Sequence, residues 1–227
     1  MGKPDIIYED NDIIICYKPA GIATQTRRIG QQDMESFIRN YRAAKNEPPY
    51  VGIVHRLDQP VEGVMVFAKN QKAAASLSRQ IKEHTTEKYY RAASRGQGVS
   101  GAAVEDEEAW HTLTDYIFFD KRTNTSKITS EKDRLAKKAV LQYRVISVTP
   151  DRDSSQNECI RTEFDIKLLT GRHHQIRLQL ANIGYPLIGD TKYGRTGGGV
   201  REQLALCSYK IVFDHPATGE RMTFELP

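Results

Sequence analysis

The chain has 227 residues, 39% hydrophobic and 27% charged, with a formal net charge of +4 and a pI near 8.9. That balance excludes a disordered polymer and fits a soluble globular protein large enough for one domain or for two lobes sharing a core. No run approaches the roughly 20 apolar residues of a membrane span, and Met1-Gly2-Lys3-Pro4-Asp5 lacks the apolar core of a signal peptide, so a cytoplasmic protein without a membrane partner is expected.

In chain order, Asp12 to Tyr17 reads as a buried strand closed by the turn Lys18-Pro19-Ala20-Gly21, with Cys16 as a small core side chain. Gln32 to Lys45 reads as a helix with an apolar stripe of Phe37, Ile38 and Tyr41, broken by Asn46-Glu47-Pro48-Pro49. Val51 to Asp58 and Val64 to Ala68 read as strands, with Gln59-Pro60-Val61-Glu62-Gly63 turning between them. Asn70 is placed to cap a helix through Ala73, Ala74, Leu77 and Ile81, and Lys88 to Ala93 reads as a short strand.

The middle is polar. Val99 to Ala109, with its acidic run Glu105 to Glu108, reads as a loop or strand connection, and Thr123 to Asp133 as a loop. Ala139 to Val148 and Ile160 to Leu169 read as antiparallel partners around a hydrophilic turn at Asp151 to Asn157. A helix follows over His173 to Ile183, stopped by Gly184, and the chain closes with two strands around Asp214 to Gly219. Strands outnumber helices and most are hairpin-linked, which gives an α+β fold with a mainly antiparallel sheet. The three cysteines, Cys16, Cys159 and Cys207, form no CxxC pair, so neither a disulfide framework nor a zinc site is expected.

Three stretches carry chemistry. In His55-Arg56-Leu57-Asp58, strand alternation would set Arg56 and Asp58 on one face, with Asp58 where the strand yields to a turn. A turn aspartate capping backbone N–H groups is the ordinary use of such a residue. Gly171-Arg172-His173-His174-Gln175-Ile176-Arg177-Leu178 gathers cations and amides at a helix start, where anions are favoured; a solvated basic face is the plainer alternative. His173 and His174 are poor metal ligands, because adjacent helical side chains diverge. Arg177, flanked by Ile176 and Leu178, should border the core and needs an anionic partner, for which Asp58 is a candidate. In Lys88-Tyr89-Tyr90-Arg91 a tyrosine could stack on a base or simply sit half-buried in a sheet.

Together and in this order, the motifs resemble those of the RluA-type pseudouridine synthases: His-Arg-Leu-Asp, Lys-x-Tyr and Gly-Arg-x-His-Gln-Ile-Arg. The resemblance extends to Tyr17-Lys18-Pro19-Ala20-Gly21, to Ile183 through Asp190, and to Tyr193-Gly194, covering nearly the whole chain. It implies a pseudouridine synthase-like α+β fold in two lobes, with flanking helices and a central catalytic cleft. It also implies isomerisation of uridine in ribosomal or transfer RNA without metal or organic cofactor. By the match, Asp58 is the essential carboxylate, as nucleophile or as base. Tyr90 would stack on the target base and Arg177 would pair with Asp58 and hold it ionised. Arg56 would fill the space of the extruded uridine or hold its phosphate, and Leu178 would wall the pocket. His55, Arg172, His174 and Gln175 complete the substrate-contacting set.

The chain departs from the common continuation of the aspartate motif, two variable residues and then Thr-Ser-Gly. Here Val61 lacks the hydroxyl and Glu62 adds a charge, for which an outward, solvated position is expected. His173 stands where threonine is frequent and could add a hydrogen bond to RNA. The resemblance begins at Asp5-Ile6-Ile7-Tyr8-Glu9-Asp10, so residues 1–227 are expected to be one catalytic domain without an amino-terminal S4-type module, active as a monomer without an obligate protein partner. RNA would then be gripped by basic residues such as Arg27, Arg28, Arg172, Arg195 and Arg201. A catalytically silent RNA-binding domain is the competing class. A nucleoside or glycoside hydrolase would need a second carboxylate, and Glu62 is the only one close in sequence to Asp58.

Overall fold

A computed structural model describes residues 4–26, 28, 30–96, 109–152, 158–194 and 202–227. The expected positions of Arg27, Arg195, Arg201, the run Glu105 to Glu108 and most of the 151–157 turn lie outside the described residues. In chain order the elements are β1 (Asp5–Glu9), β2 (Ile13–Lys18), α1 (Met34–Ala44), β3 (Gly52–Ile53), β4 (Glu62–Ala68), α2 (Gln71–Lys82), β5 (Glu87–Gly96), β6 (His111–Asp120), β7 (Thr125–Thr129), β8 (Lys137–Arg152), β9 (Glu158–Leu168), α3 (Gln175–Asn182), β10 (Leu206–Asp214) and β11 (Arg221–Glu225). The chain divides into two compact units, residues 1–88 with 207–227, and residues 89–206. Among the described residues no helix is long and apolar enough to cross a membrane.

In the first unit β2 lies antiparallel between β1 and β4. Strand β4 meets β10 in parallel, with Glu62 opposite Cys207 and Gly63 opposite Ser208, and β11 closes a hairpin on β10. The β-branched run of β2 is buried on both faces, as a central strand requires. Its Ile13 and Ile15 pack with Val64, Val66 and Ala68 of β4, Ala73 and Leu77 of α2, and Ile211 and Phe213 of β10. Gly63 sits at φ +138, and a Cβ there would stand 2.3 Å from the Ser208 carbonyl oxygen, so only glycine permits this close strand approach.

Asn70 caps α2 as expected, its Oδ1 accepting from Ala73 N at 2.9 Å. Helix α1 opens on a reciprocal capping box between Asp33 and Ser36. Its deeply buried line is Met34, Ile38 and Arg42, at i, i+4 and i+8, whereas the expected stripe members Phe37 and Tyr41 are only half-buried. Arg42 is buried because its guanidinium donates to the Tyr50 and Lys69 carbonyls and to Glu47. The strand expected over Val51 to Asp58 is reduced to Gly52–Ile53, and residues 54–58 are irregular. The turn after Asp58 is tighter than expected: Val61 N donates to Asp58 O at 3.0 Å, and β4 already begins at Glu62.

In the second unit the strand order is β5-β9-β8-β6-β7, all antiparallel. One face is apolar, with Tyr90, Ala92, Leu141, Tyr143, Phe164 and Ile166 buried. Helix α3 adds Ile176 and Leu180 to the buried set. The expected β8–β9 hairpin is present, with a bulge between Val145 and Ser147. Strand β6 was not anticipated, and β7 replaces a loop expected over Thr123 to Asp133. Thr125-Ser126-Lys127-Ile128-Thr129 has turn-like composition yet takes its place by pairing with Tyr116 to Asp120. Helix α3 starts two residues later than expected, because His174 adopts a left-handed φ of +53. Gly184, at φ +91, ends it as expected.

Candidate active-site residues

The Asp58 loop is irregular but tightly held. Thr24 Oγ1 accepts from Leu57 N at 3.1 Å and donates to Leu57 O at 2.9 Å. Gly21 N donates to Gln59 O at 2.8 Å, and Gln59 Nε2 returns a bond to Gly21 O at 2.9 Å. Lys18, with no exposed surface, spends its ammonium on the carbonyls of Pro19, Ile22 and Gln59 at 3.1, 2.6 and 3.2 Å. Burial pushes that ammonium down to about 8, against the opposing pull of Asp58 and Glu62. Leu57 and Val61 are buried on either side of Asp58. The half-buried carboxylate therefore stands on a backbone fixed before and after it.

Arg56 is exposed, and its Nη2 donates to Gln25 Oε1 at 3.1 Å. Because residues 54–58 are not a strand, alternation does not place Arg56 beside Asp58; the loop ties do the positioning. His55 has an internal task. Its Nε2 accepts from Val66 N at 3.1 Å, standing in for a strand partner where β3 has stopped. Burial, with the Lys88 charge nearby, pushes the imidazole down to about 3, so it is neutral. Glu62 is not the solvated turn residue expected. It is a half-buried strand residue that accepts from the Tyr17 hydroxyl at 2.9 Å, and burial together with Glu62 pushes that phenol up to about 12.

In the second unit Tyr90 is buried on β5 opposite Ile166. Arg177, also buried, forks onto Asp190, with Nε to Oδ2 at 2.8 Å and Nη2 to Oδ1 at 2.7 Å. Asp190 Oδ1 further accepts from Lys192 N and Tyr193 N at 2.9 and 3.1 Å. Burial alone would raise the Asp190 carboxyl, but Arg177 and these N–H groups hold it below the usual carboxylate range. The guanidinium lies 5.4 Å from the centre of the Tyr193 ring. The Tyr193 hydroxyl accepts from Ser126 N at 2.8 Å and meets His174 Nδ1 at 2.9 Å. Burial, then the charges of Arg177, His173 and Lys192, push His174 down to about 3.

The anticipated need of Arg177 for an anion is met within its own unit by Asp190, which the sequence reading did not single out. Its only signal was the Gly189-Asp190 and Tyr193-Gly194 pattern. Gly189 lies at φ +72, and Cβ atoms at Gly189 and Gly194 would stand 2.2 Å from Gln203 O and 2.3 Å from Asp190 O, so both glycines serve this loop. Gln175 is turned inward: its Oε1 accepts from Thr170 Oγ1 and Arg172 N, and its Nε2 donates to Gln179. Arg172 donates from Nε to Lys138 O at 2.8 Å, and Leu178 is half-buried. His173 meets Ser126 Oγ at 2.9 Å through Nδ1 and packs on Phe119.

Among the described residues one group has metal-ligand spacing, Asp10, Asp12 and His215. Its donors are engaged by the protein. Asp10 accepts from Asp12 N, Ile13 N and the Tyr8 hydroxyl. His215 Nδ1 accepts from Ala217 N and Thr218 N, so its Nε2 carries the proton given to Asp10. That arrangement suits a structural turn rather than a cation.

The family model described as RNA pseudouridylate synthase matches residues 12–182. An uncharacterised RNA pseudouridine synthase of Bacillus subtilis is 32% identical over all of this chain and 69% of its own length. Ribosomal large subunit pseudouridine synthase D of Vibrio cholerae is 32% identical over 98% of this chain and 67% of its own. Among solved structures, human RNA pseudouridylate synthase domain containing 1 aligns with a TM-score of 0.75 at 23% identity, over 99% of this chain and 83% of that one, which establishes the shared fold. The chain belongs to the RNA pseudouridylate synthase family, in its RluA-type branch, and is an isomerase that acts on RNA.

Proposed function

We propose that Asp58 is the essential carboxylate of this pseudouridine synthase, acting with Tyr90 and Arg177. The clamped loop supports this most directly: Lys18, Gly21 and Thr24 fix the backbone on both sides of a half-buried aspartate, the preorganisation that chemistry at a carboxylate needs. In the reaction the N1–C1′ bond of a uridine breaks, the base turns, C5 bonds to C1′, and the C5 proton leaves while N1 gains one. Asp58 acts at the sugar as nucleophile or base, and Arg177 is the cationic member of the catalytic group. Tyr90 stacks on the base and assists proton removal at C5. Arg56 fills the space of the extruded nucleotide or holds its phosphate, while Arg172, His174 and Leu178 line the substrate side. His55 and Gln175 complete the substrate-contacting set and also fix the loop and turn that carry their neighbours.

The substrate in this reading is ribosomal RNA, as the names of the Vibrio and other relatives suggest for those proteins, with transfer RNA as the alternative. Both units form one catalytic domain, active as a cytoplasmic monomer without cofactor. The decisive experiment is Asp58→Asn, with pseudouridines mapped in cellular RNA and RNA binding measured in parallel. Isomerisation should vanish while binding stays within about threefold, because the carboxamide keeps the shape and loses the charge. Wild-type turnover by this variant would overturn the assignment; loss of binding equal to the loss of turnover would favour a binding role for Asp58.

A further inference from the structure

Arg177 is held more elaborately than a buried cation requires. A guanidinium offers its N–H donors in a rigid planar fork, and Asp190 takes one whole edge of that fork, Nε and Nη2, at 2.8 and 2.7 Å. The contact fixes the guanidinium plane and therefore the direction of the remaining nitrogen. Tyr193 lies against the guanidinium, 5.4 Å from ring centre to the central carbon. Both braces are themselves anchored. Asp190, its side chain fully buried, accepts from Lys192 N and Tyr193 N. The Tyr193 hydroxyl is tied to Ser126 N on β7 and to His174 at the start of α3. Lys192 Nζ adds a bond to the Asn124 carbonyl beside β7.

A buried ion pair is a poor source of net stability compared with apolar packing, because two charges must be desolvated. An edge-on pair whose carboxylate is pinned by two backbone N–H groups is, by contrast, an effective way to aim an arginine. We infer that Asp190 is a positioning residue for the reaction, aligning the Arg177 guanidinium, with Tyr193 as its second brace. This rests on the reading of Arg177 as part of the catalytic group.

The test uses the full chain and transcripts of large-subunit ribosomal RNA and of transfer RNA carrying tritium at uridine C5, with single-turnover tritium release as the rate. Asp190→Asn should slow release by about 10- to 100-fold with RNA affinity within about threefold, the penalty of a misaimed group. In an Arg177→Lys background, where the fork is already gone, the same substitution should change the rate by less than about threefold, the non-additivity of coupled residues. The Arg177 Nε–H resonance should be protected from exchange in the wild type and lose that protection in Asp190→Asn.

An Asp190→Asn protein of wild-type rate, beside an inactive Arg177→Met, overturns the positioning role and leaves the catalytic reading intact. A fully active Arg177→Met overturns that reading itself. Should Asp190→Asn melt far below the wild type, Tyr193→Leu carries the question, since it keeps the backbone N–H to Asp190 and removes the ring. A slowed rate at unchanged affinity supports the brace, and an unchanged rate overturns it.

Discussion

At the scale of single residues, the loop around Asp58 depends on a lysine that never reaches solvent. Lys18 reads in sequence as part of a Lys-Pro turn, but its partner Gln59 lies 41 positions away, and no local pattern could connect them. Its pKa, down to about 8 from an ordinary 10.5, has a definite consequence. Between those two values the folded chain binds fewer protons than the unfolded one, so stability contributed through Lys18 rises as pH climbs from about 8 to 10.5. The shift corresponds to roughly 3 kcal/mol. Denaturant midpoints from pH 7.5 to 10.5 should therefore rise for the wild type relative to Lys18→Met. Parallel curves would show that the ammonium titrates as in water. His55 carries a similar lesson: no local pattern could show that its ring nitrogen accepts from the Val66 amide.

Elements were legible where they were amphipathic and capped. Asn70 and the apolar spacing of α2 located that helix from sequence, and the β8–β9 pair followed from two apolar runs around polar residues. Strands β6 and β7 were not legible, because their stability comes from pairing with each other and β8, while their own side chains are mostly half-exposed and polar. Strand β3 failed in the opposite direction. Its apolar run predicted eight residues, but after Ile53 the strand stops: the His55 ring accepts from Val66 N, Leu57 exchanges hydrogen bonds with the Thr24 hydroxyl, and Gln59 O accepts from Gly21 N instead. The cap of α1 was also missed. Asp33 accepts from Ser36 N at 2.7 Å and from Thr26 N at 2.6 Å, joining the helix start to the segment that backs Asp58. Asp33→Ala should lower stability by about 1–2 kcal/mol in equilibrium unfolding; a change below about 0.3 kcal/mol would deny the cap that role.

On the scale of the whole chain, a long-range charge cluster in the first unit makes stability depend on pH in the acid range. Glu9 on β1 accepts from Lys69, Tyr41 and Lys45, the last two on or beside α1. Burial opposes its ionisation, yet these partners bring the carboxyl down to about 2. With a folded value depressed from 4.5, the stabilisation is complete above pH 4.5 and is lost as pH falls toward 2. It amounts to roughly 3 kcal/mol. Glu9→Gln should lose most of that at neutral pH and show a shallower acid transition, measured by thermal melts from pH 7 to 2.5. An unchanged acid slope would place the protons elsewhere.

The sequence by itself determined the family, the α+β class and the identity of the motif residues, because catalytic chemistry restricts which side chains can stand at fixed spacing. It also determined the start of α2, whose cap and apolar period are local. Only the tertiary structure decided which partners those residues keep. Asp190 for Arg177, Val66 for His55, Tyr17 for Glu62 and the carbonyl cage of Lys18 all depend on chain-distant groups meeting in low dielectric. There an unpaired charge or N–H is costly, and satisfying it is a property of the folded surroundings that no window of sequence contains.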